Sequence, residues 1–160
     1  MNPSPIRWVV TAPPRSGTTW IAQWLTDNGF PTSHERCFLT FREGGDPTVP
    51  YFRTCNYPGE SSYLAAPWST KLRAMGIVVI HLRRPIDDVA TSMLNLNWDL
   101  TIGWPAIAAF TPEVLDEEHK SIEQYRLFAQ TWTDLIDAET VWDLYDVGEQ
   151  ELEWLKKRVE

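Results

Sequence analysis

The most constraining feature of the sequence is a nearly unbroken apolar run at residues 76–82, followed at once by two arginines and a proline. A strand with one solvated face alternates apolar and polar residues, whereas a continuous apolar run indicates a strand that is buried on both faces. Such strands occur in parallel sheets that carry helices on either side. The run therefore predicts an α/β domain.

Helical and strand-like segments alternate on both sides of this run. Apolar residues at helical spacing, together with helix-start and helix-stop residues, predict helices over residues 18–28, 62–75 (interrupted at Pro67), 86–97, 111–137 and 148–159. The predicted strands are residues 6–10, 30–33, 76–82 and 140–145. Residues 34–61, rich in Gly and Pro, favour a long irregular region. This order predicts a three-layer α/β fold with a mainly parallel sheet flanked by helices.

The length of 160 residues suits one domain, residues 1–160. A hydrophobic content of 43% excludes wholesale disorder. No apolar run reaches the roughly 18 residues of a transmembrane helix, and the first residues lack the pattern of a secretory signal. We therefore expect a cytoplasmic protein without a membrane partner, with Cys37 and Cys55 as free thiols. The sequence shows no set of ligands at zinc spacing, so no metal is expected.

The net charge of −8 is unevenly distributed along the chain. Residues 1–84 hold nine Lys/Arg and five Asp/Glu, whereas residues 85–160 hold five Lys/Arg and seventeen Asp/Glu. The acidic total disfavours broad binding to nucleic acid. The basic first half is compatible with one small anionic ligand.

The turn between the first predicted strand and the first predicted helix has the composition of an anion site. Unpaired N–H groups and the helix dipole favour an anion at such a helix start. Gly17 permits close backbone approach, Arg15 adds a permanent charge, and the neighbouring Ser and Thr residues add hydroxyl donors. The segment departs from the Walker A pattern, because Ala12 occupies the first glycine position and Thr18 the lysine position.

The sequence Pro-Arg-Ser-Gly-Thr-Thr-Trp at residues 14–20 resembles the 5′-phosphosulfate loop of sulfotransferases that use 3′-phosphoadenosine 5′-phosphosulfate (PAPS). The resemblance implies a fold like that of P-loop nucleoside triphosphate hydrolases, and 3′-phosphoadenosine 5′-phosphate (PAP) as the product nucleotide. It implies that Arg15 contacts the 5′-phosphate and the bridging oxygen of the transferring group. The residues that it assigns to this end of the cofactor are Pro14, Arg15, Ser16, Gly17, Thr18, Thr19 and Trp20.

Residues 80–93 resemble the second signature of the same family, a strand that ends in Arg with a Ser eight residues later on the next helix. In the family both side chains contact the 3′-phosphate. Two registers keep this spacing. Arg84 with Ser92 aligns residues 88–92 with the common Asp-Val-Ala-x-Ser, whereas Arg83 with Thr91 places Pro85 where many members have proline. We prefer Arg84 and Ser92.

Transfer of a sulfuryl group to a hydroxyl needs a base within hydrogen-bond reach of the acceptor. Glu35 lies twenty residues after Arg15, near the point where several sulfotransferase branches carry a catalytic Glu. Ligand sites in parallel sheets gather at the carboxyl ends of strands, which places Glu35 and His34 near the Arg15 turn. Glu35 is the preferred base and His34 the alternative. Three tryptophans outside the apolar stripes are candidates for lining an acceptor pocket: Trp68, Trp98 and Trp104.

The resemblance therefore predicts a PAPS-dependent sulfotransferase that modifies a hydroxyl or amine of a small-molecule or glycan acceptor. One departure is the absence of a downstream G-x-x-G-x-x-K segment, which many members use at the 3′-phosphate. Two other functions stay open. One is a small P-loop kinase or nucleotide hydrolase, and the other is a nucleotide-binding module without catalysis. The acceptor and the oligomeric state do not follow from the sequence.

Overall fold

The computed structural model describes residues 6–38, 56–98 and 121–160. The strands within these residues are β1 (Trp8–Thr11), β2 (Thr32–His34), β3 (Gly59–Ser61), β4 (Val78–Arg83) and β5 (Thr140–Asp143). A 3₁₀ helix spans Tyr63–Trp68. The α-helices are α1 (Thr18–Asp27), α2 (Ser69–Ala74), α3 (Ile86–Asn95), α4 (Ile122–Asp134) and α5 (Glu149–Val159).

The five strands form one sheet in the order β2-β3-β1-β4-β5, and every neighbouring pair is parallel. The chain leaves β1 toward one edge of the sheet, by way of α1 and β2, and leaves β4 toward the other edge and β5. Connections that diverge from adjacent strands open a crevice at the carboxyl ends of those strands. The sheet order therefore places such a crevice between β1 and β4, where the two sequence motifs begin.

Helices cover both faces of this sheet. Trp8 and Val10 of β1 pack with α1 and α5 on one face, whereas Val9 packs with α2 and the 3₁₀ helix on the other. A third cluster joins α3 to α4, with Phe128 and Trp132 fully buried. Successive strand residues alternate between the two cores, as the strand repeat requires. The predicted α/β class, with a parallel sheet flanked by helices, is confirmed.

Most predicted elements lie close to their expected positions, with three differences. Residues 62–75 divide at Ser69 into a 3₁₀ helix and α2, because Pro67 lacks an N–H donor. The helix expected from Thr111 begins at Ile122, where the side chains of Ser121 and Gln124 cap its first turn. The predicted opening near residue 111 lies outside the described residues.

The third difference is β3, which lies inside the segment predicted to be irregular. Its residues Gly59, Glu60 and Ser61 carry no apolar side chain, so hydrophobic periodicity gives no strand pattern. Backbone pairing between β1 and β2 holds the strand instead. Gly59 is required at this position because a Cβ there would collide with the indole ring of Trp8.

Cys37 is buried and disulfide-bonded, so the expectation of a free thiol at this position is wrong. Cys55 lies outside the described residues. Disulfides persist mainly in oxidising compartments, so this bond does not support the expected cytoplasmic location. None of the helices in the described ranges is long and apolar enough to cross a membrane.

Candidate functional site

The turn between β1 and α1 has a backbone conformation that opens the helix start. Arg15 and Gly17 both have positive φ, 66° and 91°. Gly17 is the N-cap of α1, and as a glycine it has no side chain to cap the first-turn N–H groups, which have no partner within the helix. A Cβ at Gly17 would lie 2.7 Å from a methyl carbon of Leu144. The dihedral angle therefore favours glycine here, and a Cβ would in addition force the Leu144 side chain to shift.

The hydroxyl group of Ser16 adds a further donor to this turn. Ser16 is fully buried, and within the described part of the chain its Oγ has no hydrogen-bond partner. A buried hydroxyl without a partner carries a desolvation cost that a bound group can remove. The turn thus combines an uncapped helix start with an unsatisfied buried hydroxyl.

Two arginine side chains lie beside the turn. Arg84, directly after β4, donates from Nη1 to the carbonyl oxygen of Arg15 at 2.6 Å. Arg15 donates from Nε to the hydroxyl of Ser92 on α3 at 3.2 Å. Across residues 6–38, 56–98 and 121–160, neither arginine has a carboxylate within ion-pair distance. The crevice between β1 and β4 therefore holds two arginines that form no ion pair with the described residues.

The adjacent Arg83 is in a different situation. Its guanidinium makes two hydrogen bonds to the Asp143 carboxylate, at 2.7 and 3.0 Å. Thr91, its partner in the alternative register, is exposed. The structure thus brings Arg84 and Ser92 to the Arg15 turn and leaves Arg83 paired at the end of β5.

Tyr145 orients Arg84 from the other side. The Tyr145 hydroxyl accepts a hydrogen bond from Arg84 Nε at 3.2 Å and donates one to Asp88 Oδ2 at 2.6 Å. The Tyr145 hydroxyl therefore lies between the Asp88 carboxylate and the Arg84 guanidinium, and these two side chains form no direct ion pair.

The opposite side of the crevice is acidic. Glu35 follows β2 with a φ of 51°, and its backbone N–H donates to Ser61 at 3.1 Å. Burial, together with the negative charge of Glu60, raises the pKa of Glu35 to about 7. A carboxyl with this pKa exchanges its proton near neutral pH, as a general base must.

His34 links the acidic side to the helix start. Its Nε2 lies 3.2 Å from the Thr18 hydroxyl, 3.3 Å from the Thr19 hydroxyl and 3.8 Å from Glu35 Oε1. Burial lowers the pKa of His34, which favours the neutral imidazole. A neutral His34 can accept a hydrogen bond from one of these hydroxyls.

Several of these groups, including His34 and Glu35, line one pocket of about 360 Å³. The cations Arg15 and Arg84 line it together with Glu35, so a ligand in the pocket would contact both sides. Its aromatic wall consists of Trp20, Tyr63 and Trp98. Of the other two tryptophan candidates, Trp68 packs in the core cluster with Val79, and Trp104 lies outside the described residues.

No protein-family model matches the sequence, and no curated protein matches it at a level that indicates a relative. The case for a function therefore rests on the residues of this pocket and on the two local sequence resemblances.

Sequence reasoning missed four residues that shape the pocket: Glu60, Tyr63, Asp88 and Tyr145. Tyr145 carries no pattern of its own, and the Asp-Val-Ala-x-Ser alignment includes Asp88 without indicating its role, because their contact with Arg84 joins the end of β5 to α3. Glu60 belongs to the unrecognised strand β3. The one sequence signal for Glu60 is that it is an acidic residue between two short turn-rich segments.

Proposed function

We propose that the protein is a sulfotransferase that transfers a sulfuryl group from PAPS to a hydroxyl or amine of a small-molecule or glycan acceptor. The observation that carries this proposal is that Arg15 and Arg84 line one pocket at the carboxyl ends of β1 and β4, and that neither forms an ion pair with a carboxylate of the described residues. Two fixed guanidinium groups favour a ligand with more than one anionic group. A nucleotide with phosphates at both its 5′ and 3′ positions is such a ligand.

The described residues fit this cofactor. The uncapped start of α1 and the buried Ser16 hydroxyl are donors for a 5′-phosphate group. Arg84 and Ser92 are the donors assigned to the 3′-phosphate, while Arg83 stays with Asp143. A strand, a tight glycine turn and a helix next to the crevice also support a fold of the P-loop nucleoside triphosphate hydrolase type.

When bound, PAPS supplies an activated sulfuryl group attached to a phosphate oxygen. The guanidinium of Arg15 and the first N–H groups of α1 would stabilise negative charge as it develops on that oxygen. Glu35 would take the proton of the acceptor, since its pKa of about 7 leaves part of it ionised at neutral pH. His34 would hold the Thr18 and Thr19 hydroxyls, and it is the alternative base.

Calorimetric titration with PAP and with adenosine 5′-monophosphate tests this proposal. We expect PAP to bind at least about tenfold more tightly, a difference of about 1.4 kcal/mol, because only PAP carries the 3′-phosphate. Arg84→Gln should abolish this preference, whereas Arg83→Gln should retain it. The reverse ranking would assign the 3′-phosphate to Arg83 and Thr91.

Two other results would replace the proposal. Equal affinity for the two nucleotides, together with tight binding and hydrolysis of magnesium ATP, would indicate a small kinase or nucleotide hydrolase. Preferential PAP binding without transfer of labelled sulfate to any of a panel of phenols, alcohols, amines and glycans would indicate a binding module.

A further inference from the structure

Glu60 is the one fully buried carboxylate among the described residues, and the proposed chemistry does not use it. It lies at the centre of β3, between β1 and β2, and does not line the pocket. A buried ionisable group is costly unless its surroundings satisfy it. Its side chain contacts the turn that carries Glu35, and this contact indicates its role.

The carboxylate of Glu60 is bound by the segment that carries Glu35. Its Oε2 accepts a hydrogen bond from the Ser33 hydroxyl at 2.5 Å, and its Oε1 accepts one from the backbone N–H of Arg36 at 2.9 Å. The N–H groups of Glu35 and Cys37 also stabilise its ionised form. All of these groups act as donors, which is the arrangement that an ionised carboxylate requires.

The Glu35 backbone needs such support. Its φ of 51° lies in the left-handed region, which a residue with a Cβ adopts at a cost. A turn in this conformation persists where neighbouring groups hold it. Glu60 binds the peptide groups that follow Glu35, and Ser61 accepts the N–H of Glu35 itself.

We propose that Glu60 is a positioning residue for Glu35: its buried carboxylate binds the turn after β2 and so holds the Glu35 carboxyl at the wall of the pocket. The proposal rests on the function proposed above, in which Glu35 is the base. It assigns to β3 a role beyond completing the sheet.

The charge of Glu60 also acts on Glu35. The titratable groups that face Glu35 are His34, Glu60 and Tyr63, and Arg36 is the adjacent cation. Burial raises the pKa of Glu60, and its four donors oppose that rise. These donors favour the ionised form of Glu60, and its negative charge contributes to the raised pKa of Glu35.

The experiment compares Glu60→Gln with Glu60→Leu. Gln keeps the shape and an acceptor for the Arg36 N–H, and Ser33 can turn its own proton to the Gly59 carbonyl, which lies 3.3 Å away. Leu has a similar volume but removes every hydrogen bond that the Glu60 side chain makes with the turn. Glu139→Gln is the matched control, because Glu139 is a partly buried carboxylate paired with Arg158, outside this pocket.

We expect Glu60→Leu to lower kcat about 10- to 100-fold with little change in the KM for PAPS, and Glu60→Gln to restore most of kcat. In Glu60→Gln the acid limb of the pH profile should move to lower pH by about half a unit or more, because the like charge is gone. Titration of the Glu35 carboxyl carbon by NMR should show the same shift without requiring activity. Glu139→Gln should move neither quantity.

A Glu60→Leu protein that folds, keeps its kcat and shows an unchanged Glu35 titration would overturn the proposal. If the wild-type protein transfers no sulfate at all, the proposed function fails. The NMR titration still decides in that case whether Glu60 positions and tunes Glu35.

Discussion

The two sides of the pocket differ in how their charges are satisfied. On the side formed by β1 and β4, Arg15 and Arg84 have no carboxylate partner among the described residues and bond to a carbonyl oxygen and hydroxyls. On the side formed by β2 and β3, Glu35 and Glu60 are half-buried and fully buried, respectively. The first side is cationic, whereas the second is acidic and contains a carboxyl whose pKa is raised to about 7.

This difference separates two chemical tasks. Exposed guanidinium groups keep their charge at all physiological pH values and can bind an anion without a change in protonation. A carboxyl group in low dielectric shifts its pKa toward neutrality and can exchange a proton with a ligand. Substitutions on the two sides should therefore affect different measurable quantities, and this expectation can be tested.

The largest effect is expected on the acidic side. Glu35→Gln keeps the size of the side chain and removes its basicity, so turnover of PAPS should fall about 10²- to 10⁴-fold while PAP affinity stays unchanged. Steady-state kinetics and calorimetry measure the two quantities separately. His34→Asn is the matched variant for the alternative base. It should reduce turnover less, because in the proposed mechanism His34 holds the Thr18 and Thr19 hydroxyls and does not take the acceptor proton. A larger loss in His34→Asn than in Glu35→Gln would make His34 the base.

Arg15→Ala tests the cationic side. Turnover should fall about 10²- to 10³-fold, since a donor to the leaving phosphate oxygen is lost. Arg15 is exposed, so the free energy of unfolding should change by no more than about 0.5 kcal/mol. Arg73→Ala is the control, because Arg73 pairs with Asp137 near the amino ends of β4 and β5, whereas Arg15 lies at the carboxyl ends of the strands. Unchanged turnover in Arg15→Ala would remove Arg15 from the mechanism.

The two sides also differ in how far the sequence could predict them. The Arg15 turn is contiguous in sequence, and the strand before it and the helix after it have clear hydrophobic patterns. Arg84 follows the most apolar strand of the chain. Local patterns therefore predicted these elements, and the order of the parallel strands brings the two arginines together.

The acidic side depends on contacts that no local pattern shows. Glu60 lies on a three-residue strand without apolar side chains, and 24 positions separate it from Arg36, whose N–H it accepts. The sequence placed Glu35 after a strand, but its raised pKa comes from burial and from Glu60. Similarly, the choice between Arg83 and Arg84 depends on Asp143 and Tyr145, which belong to the last strand and its following turn.

The smallest expected effect concerns stability and its dependence on pH. The pKa of Glu35, about 7, lies above its ordinary value of 4.5, so the folded state binds this proton more tightly than the unfolded state. The stability that Glu35 contributes is complete below about pH 4.5 and is lost as the pH rises through about 7. Glu35→Gln removes the titrating carboxyl and with it this loss of stability at higher pH. Relative to wild type, the variant should therefore gain about 1–3 kcal/mol in unfolding free energy between pH 5 and pH 8, measured by urea denaturation. Arg15→Ala should show no such gain, because an arginine does not titrate in this range. A parallel pH dependence in Glu35→Gln and wild type would mean that Glu35 is solvated like an ordinary surface carboxylate, and the contrast between the two sides of the pocket would then be one of charge sign alone.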